Sequence, residues 1–416
     1  MSTSISYRTT LGLPGVKKRL LLGILCRLPA GIVPFAVLVS FTQHYDIHIA
    51  GLASGALMLA IGMLAPTRAR WCSSRGPRAL VLMALVSMSF LVAAAAASGR
   101  WPWQAAVLLT AAGGALLPPL SPTLRATWSR LVPGRKELQS IHALDSTVEE
   151  LTFIVTPLLC AVAFSLGDPR WALTGGALLL SLAASGLGRV LAELPDSTDP
   201  ALTSTESQAA PRSRQRSIIR TRVGRGIVTP IIALGLGGGG LGVVITAAGA
   251  HHGSFALSGY SFAASSLGGL VGGLMYGRRQ WAGEIAVRYA VATGGIAIGA
   301  LLVSLTVTSP VLVVAAFCSG LPMGPLFIMG YLLIDERLES SRRPEANAWL
   351  GSGFNLGSAT GAILAGQLLT LWTPQGVAIT FAAPALIAMV LAIRSRETGI
   401  NEKNQQDFEK PDVLER

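Results

Sequence analysis

Charge is what this sequence has least of. Only 13% of its 416 residues are Asp, Glu, Lys or Arg, about half of the roughly 25% that a soluble domain carries. A chain that is also 51% hydrophobic, with a mean hydropathy of +0.55, lacks the polar surface to stay in water. A lipid-embedded protein is expected. Cysteine is scarce and scattered: Cys26, Cys72, Cys160 and Cys318 show no CxxC spacing, so neither a disulfide framework nor a zinc site is indicated. Acidic residues are fewer than basic ones, for a net charge of +12. The bases recur in short clusters between apolar runs instead of gathering on one stripe, which argues against nucleic acid. The glycine run from Gly235 to Gly242 lacks a Gly-Lys-Ser/Thr ending and a preceding strand, so it is no phosphate loop. It reads as a flexible or closely packed part of a membrane helix. His44, His48, His251 and His252 read as surface histidines and not as a metal site. No nucleophile–base pair is evident, so no enzymatic site, cofactor or metal is expected.

What the chain has in abundance is apolar runs of membrane length. A helix needs about 20 mostly apolar residues to span a bilayer. That ruler gives twelve candidates: 20–41, 49–66, 79–98, 103–124, 146–166, 171–192, 226–249, 255–276, 286–307, 310–333, 346–372 and 376–393. The first lacks a small-residue cleavage site and reads as a span, not a signal peptide. The fold class is therefore all-α and polytopic, with twelve transmembrane helices in two six-helix bundles. The expected parts are a bundle at 1–193, a linker at 194–225, a second bundle at 226–394 and a polar tail at 395–416. Ser, Thr, Pro and charge dominate the linker, which suits a loose tether.

Basic residues test the count, because Lys and Arg favour cytoplasmic loops. Lys17, Lys18 and Arg19 precede span 1, and Arg68, Arg70, Arg75 and Arg78 follow span 2. Arg125, Arg130, Arg135 and Lys136 follow span 4, and the linker brings its own arginines. Arg278, Arg279 and Arg288 surround the connection after span 8. Arg337, Arg342 and Arg343 follow span 10, and Arg394 and Arg396 open the tail. The intervening connections carry at most a lone base, such as Arg100 or Arg170. The alternation predicts that both termini and the linker face the cytoplasm. The halves also echo each other: Pro119-Leu-Ser-Pro122 lies in span 4 and Pro322-Met-Gly-Pro325 in span 10, while Glu150 and Asn355 share an offset in spans 5 and 11.

Six spans, a cytoplasmic linker and six more spans with both ends inside resemble the major facilitator superfamily of secondary transporters, over nearly the whole chain. The family's loop pattern after span 2, Gly-x-x-x-Asp-Arg-x-Gly-Arg-Arg, survives in part. Gly76 and Arg78 match, while Ser73 and Ser74 stand where Asp and Arg are expected; Gly277-Arg278-Arg279 is a remnant of the same pattern in the second half. Within the family the chain resembles an actinobacterial group with a Glu-Ala-x-x-Trp opening to span 11, here Glu345-Ala346-Asn347-Ala348-Trp349. The resemblance implies a monomeric plasma-membrane transporter working by alternating access. It also implies that spans 1, 4, 7 and 10 line the path, offering Phe35, Thr110, Leu117, Ser319, Phe327, Met329 and Tyr331. The drug–proton antiporter branch has an Arg in span 4 and a Gly-Pro pair in span 5. Here no Arg precedes Pro118 in span 4, and span 5 reads Thr156-Pro157, so that branch's proton scheme does not carry over.

Ionisable residues inside spans are costly and mark function by default. Arg27 is the sole charge within span 1, roughly 10 Å along the helix from its cytoplasmic end. Asp145, Glu149 and Glu150 open span 5 from the same side. Two readings stand. In one, a structural pair locks spans 1 and 5 or the glutamates merely snorkel to the cytoplasmic surface. In the other, Glu149 or Glu150 binds a proton in alternation with substrate, or Arg27 meets an anionic group on it, with Asn355 echoing Glu150 in the second half. Gly76, Arg78, Asp335 and Glu345 are the cytoplasmic gate and loop candidates. The largely apolar path suits export of a hydrophobic or amphipathic drug or metabolite, with protons as a candidate coupling ion. Uptake of an amino-acid-like metabolite and a non-transporting sensor or scaffold are the alternatives.

Overall fold

The computed structural model of the protein describes residues 15–131, 135–193, 218–278, 281–338 and 342–394. The first half contains α1 (Val16–His44), α2 (Ile47–Arg75), α3 (Pro77–Ala97), α4 (Trp103–Ala115), α5 (Leu120–Leu131), α6 (Arg135–Leu166) and α7 (Pro169–Glu193). After a 3₁₀ turn at Ile218–Arg220, the second half contains α8 (Arg222–His251), α9 (Phe255–Arg278), α10 (Ile285–Thr306), α11 (Leu312–Gly320), α12 (Met323–Arg337), α13 (Arg343–Leu368) and α14 (Pro374–Thr380). The last of these continues past Phe381 to Arg394. Counting α4 with α5 and α11 with α12, each half is six membrane-length rods, and the fold is the expected all-α one of twelve.

Nine rods among the described residues are long and apolar enough to cross a membrane. The three that fall short are α6, α9 and α13. They are also the helices packed across the junction of the halves: α13 against α2, and α6 against α9. Contact with protein in place of lipid relaxes the demand for apolar side chains.

Both fourth rods break where prolines remove backbone donors. Pro118 cannot donate to the Gly114 carbonyl, and the chain leaves helical geometry over Leu117–Pro119 before α5. Pro322 follows α11 in the same way, and there backbone bonds close the gap: Leu321 N–H donates to the Cys318 carbonyl at 3.3 Å, and Leu326 N–H to Pro322 at 3.0 Å.

The buried apolar residues divide the molecule along its length. At the arginine-poor end one continuous core takes in both halves, from Phe35 and Leu57 to Val244, Ala362 and Phe381. At the arginine-rich end the cores are separate. One holds Cys26, Cys72, Leu124 and Leu187 of the first half, and another holds Ile227, Tyr289, Met329 and Leu350 of the second. The halves are thus joined at one end and apart at the other. The join depends on backbone approach: a Cβ at Gly51 would lie 2.5 Å from the Ala362 carbonyl oxygen, and one at Gly55 would collide with the Ile363 side chain.

The linker's end is less loose than its composition predicts. Ile218 is fully buried in the second-half core, and Thr221 caps α8 by accepting the Gly224 N–H at 3.0 Å. Arg222 and Arg225, expected in the linker, therefore sit in the first turns of α8. Residues 194–217 of the linker and the tail from 395 lie outside the described residues.

At the arginine-poor end His44 is not a plain surface histidine. Its Nδ1 lies 2.8 Å from the Ser40 carbonyl oxygen and its Nε2 3.1 Å from Asp168 Oδ2. Arg170 holds the same carboxylate at 2.6 Å and donates to the Ser98 carbonyl at 3.3 Å. The cluster ties the end of α1 to the α3–α4 and α6–α7 turns. Burial alone would push the Asp168 carboxyl up, but the Arg170 hydrogen bonds and the neighbouring His44 bring it below its ordinary value.

Two outcomes are expected. Gly55→Leu separates α2 from α13 and lowers the unfolding midpoint in detergent by an amount equivalent to about 1–3 kcal/mol, whereas leucine at lipid-facing Met63 leaves it unchanged. A carboxyl held below its unfolded value contributes stability above that value, about 3.9, and loses it as pH falls through the folded one. Asp168→Asn therefore lowers the thermal midpoint at neutral pH, and the gap to the unaltered protein closes on acidification.

Candidate functional site

Four charged side chains meet within the first half. Arg27 of α1 is 4% exposed, and its Nη2 donates to Asp145 Oδ2 of α6 at 2.7 Å. Its Nη1 donates to the Gly23 carbonyl at 3.2 Å. Asp145, 1% exposed, also accepts from Arg125 Nε at 3.0 Å on the same oxygen. Arg125 of α5 then pairs through Nη2 with Glu149 Oε2. The order in space is Arg27, Asp145, Arg125, Glu149.

The local sequence accounts for the arrangement. Asp145 and Glu149 are four residues apart and so share one face of α6. Leu120, Leu124 and Trp128 are buried at the same spacing on α5, which keeps that short helix against the bundle and carries Arg125 toward α6. Within this quartet each buried charge meets an opposite one, which limits the cost of burying it. The quartet is graded. Arg27 and Asp145 are dry, whereas Arg125 and Glu149 remain 42% and 26% exposed. Asp145 Oδ1 and Arg27 Nε are buried without a hydrogen-bond partner, so the dry end keeps unused capacity.

Sequence reasoning paired Arg27 with a carboxylate of span 5 and favoured the glutamates. The partner is Asp145. Glu149 joins through Arg125, and the side chain of Glu150 lies outside the described residues. Arg125 was read as a loop base because apolarity falls at residue 124. The signal that reveals it is the Leu120–Leu124–Trp128 spacing, which carries the helix past that point.

Arg68 was likewise read as a loop marker, but α2 runs on to Arg75 and buries it. Its Nη1 donates to the Gly114 and Leu117 carbonyls at 2.9 and 2.7 Å, and its Nη2 to the Ile61 carbonyl. At the Gly114 carbonyl, which Pro118 cannot serve, it joins the Leu117 N–H, which donates at 3.2 Å.

The other candidates have these places. Asn355 of α13 is half-buried, 3.5 Å from where a Cβ of Gly62 on α2 would stand, at the margin of the junction. Gly76 has φ +71° between α2 and α3, a left-handed conformation that favours glycine; Arg78 is exposed in the following turn. Asp335 pairs with Arg343 at 3.6 Å, and Glu345 accepts the Ile218 N–H at 3.0 Å. Those contacts lie within the second half. Among the proposed path residues, Phe35 packs on Phe164 and Phe262 in the closed core, with ring centroids 5.3 and 4.5 Å away. Thr110 and Met329 are buried too. Tyr331 is exposed, and Leu117, Ser319 and Phe327 are half-buried.

No Asp, Glu, Lys or Arg occurs in 226–277, 289–334 or 346–393, so the second half places no ionised side chain in the middle of its rods. Residues 231–414 match the family model described as Major Facilitator Superfamily. None of the curated proteins matches the sequence. In fold, the chain is similar to the crystal structure of a mutant of the nucleoside transporter NupG, with a TM-score of 0.69, 14% identity, and coverage of 91% of this chain and 99% of that one. It is also similar to the crystal structure of a mutant of the peptide transporter POT, with a TM-score of 0.68, 14% identity, and coverage of 95% and 99%.

Asp145→Ala strands Arg27 in a dry site and is expected to cost about 3–5 kcal/mol, whereas the double change Arg27→Met with Asp145→Leu recovers most of that. Chemical denaturation in detergent reads both.

Proposed function

Given a chain with the major facilitator superfamily fold, we propose that it is a secondary transporter working by alternating access, with the first-half quartet as its coupling element. The single observation that carries this is the graded chain of charges from dry Arg27–Asp145 to reachable Arg125–Glu149. Protonation of Glu149 removes its charge from Arg125 and leaves that guanidinium to Asp145 and to whatever enters beside it. Loss of the proton restores the pair. A proton and a solute thereby compete for one arginine.

With the arginine-rich ends in the cytoplasm, following the loop charge rule, this conformer opens inward. The second half brings no ionised side chain to the middle of its rods, which supports an amphipathic or hydrophobic solute and favours export. A second reading rests on Arg125 being 42% exposed: a guanidinium so placed suits the carboxylate of an imported metabolite. Nucleoside and peptide transporters stand among the similar structures, and they lend that reading support of the same kind. Gating is assigned to the loops of Gly76, Arg78, Asp335 and Glu345, and the linker tethers the halves at the plasma membrane of a monomer.

Proteoliposomes holding the full chain and challenged with panels of amphipathic cations and of small carboxylates test this. Glu149→Gln is expected to abolish the response to an imposed pH gradient while preserving counterflow of the transported solute. Coupling that survives in this variant removes Glu149 from the cycle. A folded protein that moves no member of either panel favours the sensor reading over transport.

A further inference from the structure

A groove of about 430 Å³ indents the flank of the first half at its arginine-poor end. Its walls are Leu159, Ala163 and Leu166 of α6 with Trp171 and Leu179 of α7, and its floor reaches Ile32 of α1. Two adjacent glycines make it. A Cβ at Gly176 would stand 2.7 Å from Ile32 Cγ2, so that glycine lets α7 close on α1. A Cβ at Gly175 would meet nothing within 4 Å, and the space in front of it is left unfilled.

The walls lie on membrane-spanning helices and present apolar side chains outward, with Leu159, Leu166 and Trp171 at 47%, 83% and 73% exposure. Lined in this way, the space is no place for water, which needs polar partners. It faces hydrocarbon. The mouth is different. Trp171 sits beside the α6–α7 turn, as interfacial tryptophans do, and Arg170 next to it bonds the Ser98 carbonyl. Two residues beyond Ser98, exposed Arg100 donates through Nη1 to the Ala96 carbonyl at 3.3 Å. These are the lone bases of the first half's arginine-poor connections.

We propose that the groove is a discrete binding site for one phospholipid of the arginine-poor leaflet. An acyl chain lies against Gly175 and Ile32, and the headgroup phosphate meets Arg100 at the mouth. The site differs from the general lipid annulus because it is concave and its floor belongs to a third helix behind the lipid-facing surface. It is independent of the transport reading.

Gly175→Leu fills the space from a position where the added atoms meet nothing, so the fold is expected to survive. The full chain, extracted in mild detergent and stripped of bulk lipid, is expected to retain one phospholipid by native mass spectrometry. Gly175→Leu should weaken that retention about tenfold or more, since several buried methylenes are displaced. Arg100→Gln should weaken retention of phosphatidylglycerol while leaving that of diacylglycerol unchanged. If Gly175→Leu unfolds, Ala163→Phe plugs the groove from the opposite wall and is expected to have the same effect. Equal lipid retention by the unaltered protein and a folded plugged variant overturns the proposal, as does absence of retained lipid from the unaltered protein.

Discussion

Close approach of backbones at one end of the junction is the constraint on which the rest of the structure depends. Inside a bilayer, helices gain little by hiding apolar side chains from one another, because lipid is as apolar as they are. Contact has to be won by proximity. Gly51 and Gly55 bring α2 against α13, and α6 meets α9 across the same junction. One core then crosses both halves at that end. At the other end each half keeps its own core, so the halves remain packed bodies when apart.

Electrostatics is divided differently. The middle of the second half contains no ionised residue, and the first half gathers four, with Arg27 and Arg125 on Asp145 and Glu149 on Arg125. Burying a charge is tolerable only with a partner, and Asp145 serves two arginines at once. The arrangement makes α1, α5 and α6 of the first half interdependent, while the second half supplies an apolar surface with Asn355 at its margin. In the proposed cycle, a proton and a solute contending for Arg125 need only one half to change its charge.

Much of the fold was legible because the bilayer reads sequence linearly. Span length follows from its thickness, and the twelve rods fall where expected, although α2, α5 and α6 extend well beyond the expected bounds at their arginine-rich ends. The candidate site was legible in part. Arg27 and a span 5 carboxylate stood out as lone charges in apolar surroundings, but which carboxylate faces Arg27 depends on helix rotation. An apolar helix carries no periodicity from which rotation can be read. The same blindness hid that Phe35, Thr110 and Met329 are buried in this conformer. Arg68 and Arg125 were missed for another reason: a hydropathy ruler ends a span at its first charge, though the helix continues and can bury that charge.

Arg68 also bears on how the protein is made. Its guanidinium serves the Gly114 and Leu117 carbonyls at the α4 break, in addition to backbone bonds of the kind that also span the α11–α12 break. During synthesis the donor on α2 leaves the ribosome before these acceptors exist. Only the Ile61 carbonyl is already at hand for it, so α2 is expected to reach its final packing when the fourth rod arrives.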